Sequence, residues 1–372
     1  MEPYTLVLNI GLSLGVAFTI TCFLVPVVVH VVKEKGVVAH ENGRTSHTGN
    51  IPTMGGIAIF AGFLISSLIF TGSGFESGFR YVAAGSIFML MVGMKDDIQG
   101  ITSWMKLSGQ IIAALLIIIP GDIRFTSLQG FLGIEQISYF WSVVITLIAV
   151  VGLTNCFNLI DGIDGLASGI GILVSLTFGV WFGLAGMSGL MFLSLALAGS
   201  LMAFSIYNIW GKENKIFMGD TGSLVLGFIV SALVIEFNEL NVGVQTTVDL
   251  VATPAISIGI MIVPVFDTLR VFILRMWRRK HPFSPDKTHA HHNLISLGAS
   301  HPRATLTLMF LNALFIAISF LLNALGTTLV FIIIMGIALI SFYLPVFALR
   351  FKNSEPAKYK TKLARITMNL FV

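Results

Sequence analysis

The chain has 372 residues, of which 55% are hydrophobic and 11% carry charged side chains, and its mean hydropathy is +0.91. Because a soluble domain has roughly 25% charged residues, this composition excludes a soluble globular protein and predicts a polytopic membrane protein. The two cysteines, Cys22 and Cys156, lie far apart in apolar segments, so they provide neither a disulfide framework nor a metal or redox motif.

Apolar runs long enough to cross a bilayer, about 17 to 25 residues each, follow one another along the chain. Eleven such runs are predicted as membrane helices, at residues 5–32, 54–71, 79–95, 105–120, 137–157, 166–183, 188–210, 223–237, 250–273, 304–323 and 326–349. The first run is too long for a signal peptide and has no basic start, so it is counted as a span. No polar segment between the runs is long enough for a soluble domain. We therefore predict one all-α transmembrane domain over residues 1–372, with a basic tail at 351–372.

The basic residues predict how the helices are oriented. When the eleven runs alternate in direction, all but two of the 22 Lys and Arg residues fall on one side, the exceptions being Arg80 and Arg124. Because cytoplasmic loops are enriched in Lys and Arg, we expect the N-terminus to face outward and the tail to be cytoplasmic, where its charge suits anionic lipid. The net charge of +4 then follows from topology and requires no nucleic acid partner.

The predicted cytoplasmic face also receives most of the polar side chains that are suited to chemistry. They are Asp96, Asp97, Asn158, Asp161, Asp164, Asp220, His289, His291 and His292. A transporter typically has its ionisable residues near the bilayer midplane, between repeats. This distribution therefore favours a reaction site at the inner membrane surface.

Each acidic motif also has an ordinary structural explanation. Adjacent Asp96 and Asp97 are typical of a solvated helix end. Asp161 and Asp164 are three residues apart, which on one helix face would place their β-carbons about 5 to 6 Å apart, and either could instead cap a helix. Asp220 in the sequence GDTGS is either a cap or the start of a helix whose free N–H groups bind phosphate.

Two other motifs remain open in the same way. Gly55 and Gly56 in PTMGG indicate either a turn into a helix or close access of a ligand to the backbone. The histidines of HAHH could bind zinc, although no cysteine accompanies them, and the basic residues that precede them favour an anion. Together the five loops supply the oxygen ligands that Mg²⁺ prefers and cations that pair with phosphate.

Five motifs in this order resemble those of the polyprenyl-phosphate N-acetylhexosamine-1-phosphate transferases. They are PTMGG, KDDIQG with Lys106 beyond it, NLIDGIDGLA, FMGDTGSLVLG and SPDKTHAHH. The HAHH spacing is similar to the branch that loads GlcNAc-1-phosphate onto undecaprenyl phosphate for O-antigen, common antigen or teichoic acid synthesis. The alternative branch, phospho-MurNAc-pentapeptide transferase of peptidoglycan synthesis, has three consecutive histidines. Ala290 departs from the Ile or Leu that is usual in the first branch.

The resemblance implies an enzyme of the bacterial inner membrane that depends on Mg²⁺, or on Mn²⁺ in its place. Its expected substrates are a UDP-N-acetylhexosamine, most simply UDP-GlcNAc, and undecaprenyl phosphate, and it is expected to release UMP on the cytoplasmic side. Membrane lipid is the expected surrounding, and a homodimer is expected because members of the family often dimerise.

The same resemblance assigns roles to residues. The expected metal ligands are Asn158 and Asp220. The expected catalytic residues are Asp96, Asp97, Asp161, His289, His291 and His292. The expected substrate-binding residues are Lys106, Asn155, Asp164, Phe217, Arg275 and Arg279. Among them, Lys106 is expected on the pyrophosphate, Asp164 at the edge of the uracil and Phe217 on its face, with the histidine segment as a lid.

Charge repulsion is the expected obstacle to the reaction. A phosphate monoester has a second pKa near 6 and is mostly dianionic at neutral pH, so the acceptor is already a nucleophile. Fixed cations and a divalent ion would allow direct attack on the pyrophosphate by positioning and electrostatics. A covalent aspartyl intermediate remains the alternative.

Two other classes of membrane protein are weaker interpretations. A CDP-alcohol phosphotransferase has the signature D-G-x-x-A-R, but DGLAS here has no arginine in the required place. A cation-coupled transporter would need acids within the membrane, for which Glu236 and Asp267 are the candidates.

Overall fold

The computed structural model describes residues 3–36, 51–71, 76–242, 248–279 and 288–354, which are mostly helical. The first eight helices in chain order are α1 (Pro3–Glu34), α2 (Gly56–Phe70), α3 (Glu76–Gln99), α4 (Ser103–Ile118), α5 (Tyr139–Ile160), α6 (Leu166–Leu184), α7 (Ser188–Trp210) and α8 (Gly219–Glu239). The remaining helices are α9 (Thr253–Ile260), α10 (Ile262–Trp277), α11 (Ala290–Leu297), α12 (His301–Leu321) and α13 (Thr327–Ser354). A 3₁₀ turn at Asn323–Leu325 separates the last two. Most of the predicted tail, 355–372, lies outside the described residues.

Each predicted apolar run coincides with a helix, except that the ninth is divided between α9 and α10. Seven described helices, α1, α5, α6, α7, α8, α12 and α13, are long and apolar enough to cross a membrane, and the α9–α10 pair gives an eighth if it is one span. The helices α2 and α4 are shorter, with 15 and 16 residues. The chain is therefore a mostly helical polytopic membrane protein, while the count of eleven spans and the orientation stay predictions.

Helices α7 and α8 form the centre of the bundle. Within their most apolar windows, 83% of residues in α7 and 89% in α8 are buried, against 28% in α1 and α13. Glycines allow the helices to approach closely, since a Cβ on Gly56 of α2 would lie 2.1 Å from the backbone N of Gly222 in α8. Close packing of this kind holds membrane helices together where burial of apolar surface cannot.

The α9–α10 pair bends by 83° at Met261, so the prediction of one continuous helix over 250–273 is wrong. The physical reason is Pro264, whose ring clashes with the carbonyl four residues earlier and which has no N–H to donate to it. That carbonyl, on Ile260, accepts instead from Nδ2 of Asn312 at 3.0 Å. The N–H of Val263 donates to Oδ1 of the same asparagine at 3.3 Å. Helix α12 thus provides hydrogen-bond partners for the backbone groups at the bend.

A small hairpin is the one departure from the all-α prediction among the described residues. Strand β1 (Ser127–Phe131) pairs antiparallel with β2 (Ile134–Gln136). Leu132 and Gly133 join them with φ of 53° and 79°, the pair of positive values that a type I′ turn requires. Glu239 at the end of α8 accepts from the backbone N–H and the hydroxyl of Thr126 at 2.8 and 2.6 Å. The hairpin therefore closes the end of the bundle where α8 finishes.

Exposed tryptophans mark the other end of the bundle. Trp104 near the start of α4, Trp210 at the end of α7 and Trp277 at the end of α10 are 80%, 70% and 84% exposed. Because tryptophan is enriched at membrane–water interfaces, these side chains indicate where the bundle meets one membrane surface.

Candidate active site

Asp97, in the last turn of α3, holds the start of α8. Its carboxylate accepts from the backbone N–H groups of Asp220 and Thr221, both at 2.9 Å, and from the Thr221 hydroxyl. Gly219 leaves room for this contact, because its φ is +70° and a Cβ there would lie 2.5 Å from the carboxylate. A carboxylate is stabilised at a helix N-terminus by the unpaired N–H groups. The structure thus favours capping by Asp97 over phosphate at these N–H groups.

Lys106 of α4 lies among three oxygen-bearing side chains from three other helices. Its Nζ is 2.6 Å from Oδ1 of Asp220, 3.1 Å from Oδ2 of Asp96 and 3.3 Å from Oδ1 of Asn158. The amide of Asn158 also donates to Asp220 and, at 2.9 Å, to the hydroxyl of Ser223. Four of the predicted site residues therefore meet where α3, α4, α5 and α8 converge.

Asp161 and Asp164 lie in the loop between α5 and α6, so the prediction that they share one helix face is wrong. Helix α5 ends at Ile160, and Asp161 at its C-cap has a non-helical ψ of 46°. Gly165 instead precedes α6: its left-handed φ of 77° is one that glycine adopts without strain, and its N–H donates to Oδ1 of Asn208 at 2.7 Å. The carboxylate of Asp164 pairs with Nζ of Lys215 at 2.6 Å. The two acids therefore have different surroundings.

The acidic cluster has an excess of negative charge. Burial, together with the nearby carboxylates of Asp220, Asp97 and Asp164, raises the pKa of Asp161 to about 8. Carboxylates that repel one another in this way gain from a bound cation. Lys106 pairs with Asp96 and Asp220, and Lys215 pairs with Asp164, so these two lysines balance part of the negative charge.

The same cluster has oxygen atoms of the kind that a hard divalent cation prefers, and binding of Mg²⁺ here stays a prediction. Oxygen atoms of Asp96, Asn158 and Asp220 already surround the charge of Lys106, and Mg²⁺ prefers carboxylate and carbonyl oxygens supplemented by substrate phosphate. Within the described ranges, no three acidic, histidine or cysteine side chains form a metal site on their own. A metal here would therefore share its ligands with Lys106 and would need phosphate oxygens to complete its shell.

Two predicted substrate-binding residues flank the cluster. The amide of Asn155 exchanges hydrogen bonds with Gln110 at 2.8 and 3.2 Å and donates to the carbonyl of Val151, so it links α5 to α4. Phe217 is half-buried. Its backbone N–H donates to Pro52, and its carbonyl accepts from Gly55, both at 2.9 Å. The PTMGG motif thus holds the segment that leads into α8.

The histidine segment, residues 288–292, packs against the loop DGID at residues 161–164. His289 immediately precedes α11 and is buried, and its ring stacks on that of His291 with a centroid distance of 5.8 Å and an angle of 9°. The ring of His292 is 4.2 Å from that of His291. A Cβ added to Gly162 would lie 2.6 Å from Nε2 of His291. The structure therefore groups the three predicted histidines and places His291 against Gly162, between Asp161 and Asp164.

His291 differs in charge from what its predicted role suggests. Burial lowers its pKa to about 3, and repulsion from His292 acts in the same direction. The imidazole of His291 is therefore neutral at physiological pH, and its Nε2 is buried without a hydrogen-bond partner. A neutral ring offers phosphate no positive charge, and the catalytic role of His291 stays a prediction.

The basic residues before the histidines are placed in part. Arg275 is buried in the last turn of α10, and Arg279 is exposed just beyond that helix. Lys280 and Lys287 lie outside the described residues, as does the rest of the segment 280–287 between these arginines and the histidines. Binding of substrate by Arg275 and Arg279 stays a prediction.

Asp267 was not among the predicted site residues and was considered only as an acid within the membrane. Its carboxylate in fact lies 2.8 Å from Nδ1 of His289 and accepts from the backbone N–H of Ala290 at 2.9 Å. The spacing of 22 residues between Asp267 and His289 carries no periodic signal, so no sequence pattern indicated the contact.

Comparison with known proteins agrees with the resemblance. Residues 79–238 match glycosyl transferase family 4. A probable undecaprenyl-phosphate N-acetylglucosaminyl 1-phosphate transferase of Bacillus subtilis is 32% identical over 306 residues, which cover 81% of this chain and 82% of that protein. A decaprenyl-phosphate N-acetylglucosaminephosphotransferase of Mycolicibacterium smegmatis is 30% identical, covering 73% of this chain and 71% of that protein.

A third relative comes from Escherichia coli. It is an undecaprenyl-phosphate alpha-N-acetylglucosaminyl 1-phosphate transferase that is 27% identical over 294 residues, covering 78% of each chain. The family match over residues 79–238 includes Asp96, Lys106, Asn158 and Asp220. The chain is thus an enzyme of glycosyl transferase family 4, and it belongs to the polyprenyl-phosphate N-acetylhexosamine-1-phosphate transferases.

Proposed function

We propose that this enzyme transfers GlcNAc-1-phosphate from UDP-GlcNAc to undecaprenyl phosphate and releases UMP at the cytoplasmic surface of a bacterial plasma membrane. The observation that carries the proposal is the convergence of Asp96, Lys106, Asn158 and Asp220 at one end of a membrane bundle. The relatives from Bacillus subtilis and Escherichia coli are named for this transfer. Starting a cell-envelope polysaccharide is the role in which such a product would be used.

The reaction is a displacement at phosphorus. An oxygen of the lipid phosphate forms a bond to the phosphorus that carries the sugar, and the bond from that phosphorus to the bridging oxygen breaks. The bridging oxygen leaves with UMP. No general base is required, because the second pKa of a phosphate monoester is near 6 and the acceptor is mostly dianionic at neutral pH.

The residues of the cluster are suited to this displacement. Lys106 offers a positive charge to the pyrophosphate, and fixed charges of this kind lower the barrier for phosphoryl transfer. Asn158 and Asp220, with Asp96 nearby, would hold Mg²⁺ or Mn²⁺, which would neutralise charge on the pyrophosphate when bound. Asp97 holds the start of α8 through both carboxylate oxygens, so it positions Asp220. This occupancy favours direct displacement over a covalent intermediate on Asp97.

The location of the cluster suits one soluble and one lipid substrate. Trp104, Trp210 and Trp277 lie at the same end of the bundle as the acidic residues, and such side chains typically mark the membrane surface. A phosphate of a membrane-embedded lipid and a nucleotide from solution can meet at that depth. The excess of Lys and Arg in the loops on this side supports a cytoplasmic orientation.

The test is release of UMP by the purified protein in detergent, with UDP-GlcNAc, undecaprenyl phosphate and Mg²⁺. We expect Asp220→Asn and Lys106→Met to abolish most of the turnover, and chelation by EDTA to stop it reversibly. Asp122→Asn is a matched control, because Asp122 pairs with Arg124 at the opposite end of the bundle, and it should retain activity.

A panel of donors decides the sugar. UDP-GalNAc tests a related hexosamine, and UDP-MurNAc-pentapeptide tests the alternative peptidoglycan reaction. Turnover with the pentapeptide donor alone, or full activity of Asp220→Asn at ordinary Mg²⁺, would contradict the proposal.

Size-exclusion chromatography with light scattering on the same preparation tests the predicted homodimer.

A further inference from the structure

The buried carboxylate of Asp267 in α10 forms hydrogen bonds with residues of the histidine segment. Oδ2 of Asp267 lies 2.8 Å from Nδ1 of His289, and Oδ1 accepts from the N–H of Ala290 at 2.9 Å and from Nη2 of Arg270 at 2.8 Å. The side chains of Asp267, Arg270 and His289 are 2%, 3% and 5% exposed. A buried charge is costly unless it is paired and hydrogen-bonded. These contacts meet that condition.

Arg270 holds the same segment from its other side. Besides Asp267, its Nη2 donates to the carbonyl of Thr288 at 2.6 Å, and its guanidinium lies 5.9 Å from the ring centroid of Tyr343 in α13. Residues 288–290 are therefore fixed by two charged side chains one turn apart on α10. The start of α11 follows directly from this anchored segment.

The contact with Asp267 has a chemical consequence for His289. When one ring nitrogen of a histidine donates to a carboxylate, the ring is held in one orientation and one tautomer, and the other nitrogen is left for a ligand. Here the nitrogen that is held is Nδ1, so Nε2 is the atom left for a ligand. The ring of His289 also stacks on that of His291, which lies against Gly162 between the two acids of the loop.

We propose that Asp267 is a positioning residue for the reaction: together with Arg270, it fixes the ring of His289 and the start of α11, so that Nε2 is presented to the phosphates of the sugar nucleotide. This inference rests on the proposed function, because it takes the phosphates of that substrate as the partner. A purely structural role of the pair would stabilise the fold without acting through His289.

A double-mutant cycle separates these two roles. We expect Asp267→Asn to lower kcat by about 10- to 100-fold, by analogy with carboxylates that orient metal-binding histidines. Asp267→Asn combined with His289→Ala should be no slower than His289→Ala alone, because the carboxylate acts through that ring. Asp122→Asn, which removes a carboxylate from the Arg124 pair at the opposite end of the bundle, serves as the control and should match the wild type.

Nitrogen NMR of protein labelled with ¹⁵N-histidine gives a readout that does not depend on turnover. The signals of His289 are assigned by their loss in His289→Ala. In the wild-type protein we expect this ring to carry its proton on Nδ1. In Asp267→Asn we expect both of its nitrogen signals to shift, together with a lower melting temperature, because Arg270 loses its buried counter-charge.

Each outcome bears on the proposal. Losses that multiply in the double variant, or near-normal kcat in Asp267→Asn, would overturn it. If Asp267→Asn does not fold, the wild-type spectrum decides alone, because a neutral His289 protonated on Nε2 would also overturn it. A wild-type protein that shows the expected nitrogen signals but no transfer from UDP-GlcNAc would contradict the proposed function and leave the Asp267 contact standing.

Discussion

The substitution Gly162→Ala tests how the histidine segment is seated. The backbone of Gly162 is outside the left-handed region, so alanine can adopt it without strain. Its methyl group would lie 2.6 Å from Nε2 and 3.0 Å from Cε1 of His291. An ordinary contact is about 3.5 to 4.0 Å, so the ring must move by roughly 1 Å.

Overpacking of this kind costs about 1 to 3 kcal/mol. His291 is 2% exposed, so its ring has little room, and we expect the strain to be relieved by displacement of the histidine segment. If that displacement is transmitted to the transfer step, the same energy corresponds to a rate reduction of about 5- to 150-fold.

The assay is UMP release together with thermal unfolding in detergent. Gly152→Ala in α5 is the matched control, because no atom lies within 4 Å of the added methyl group and alanine is favoured over glycine in a helix. In a His291→Ala background the alanine at 162 has no ring to meet, so its additional effect on stability should disappear. An equal loss of stability from Gly162→Ala in both backgrounds would refute this packing.

Three further predictions concern other parts of the chain. Asp97→Ala should lower the melting temperature as well as activity, because it leaves two N–H groups of α8 without their acceptor. Each unpaired N–H group costs about 1 to 3 kcal/mol of stability. Lost activity at an unchanged melting temperature would instead indicate a purely chemical role. The pKa of Asp161 is raised to about 8 from about 4, so its contribution to stability is complete below about pH 4 and is lost as the pH rises towards 8. Asp161→Asn should therefore flatten the fall in melting temperature between pH 5 and 8, measured without divalent cations, and an unchanged slope would contradict the shift. For the orientation, a cysteine replacing Glu135 in the hairpin should react with an impermeant reagent added outside intact cells, whereas one replacing Lys212 should not, and the reverse pattern would invert the topology.

Much of the acidic cluster could be predicted from sequence, because topology alone assigns loops to one membrane face. Asp96, Asn158 and Asp220 were expected on that face, and the structure brings them to Lys106. The spacing of Asp161 and Asp164 was interpreted with helical geometry, and this was wrong because α5 ends at Ile160 and α6 begins only after Gly165. Residues three apart share a face in a helix, whereas in a loop the same spacing does not fix their relative positions.

Other features left no signal that a sequence pattern could detect. The bend at Met261 lies in a mostly apolar run, and Pro264 alone does not show how far a helix will turn. The strands of the hairpin have five and three residues, too few for an alternating pattern. The contact between Asp267 and His289 joins a membrane helix to a loop. It could be found only from coordinates.

The glycines around the start of α8 affect how a mutational survey of this enzyme should be interpreted. A Cβ on Gly56 would meet Gly222, and a Cβ on Gly93 would lie 2.5 Å from the Cα of Thr221. At both positions the added atom would clash with the backbone of α8. None of these glycines has a side chain that could bind phosphate or metal. A scan that scores growth would nevertheless rank them beside Asp220 and Lys106, because any larger residue would push α8 and its aspartate out of place. Intolerance to substitution at the glycines of PTMGG and GDTGS would then report how closely the helices pack. A residue that takes part in the chemistry would be identified by lost turnover together with an intact fold.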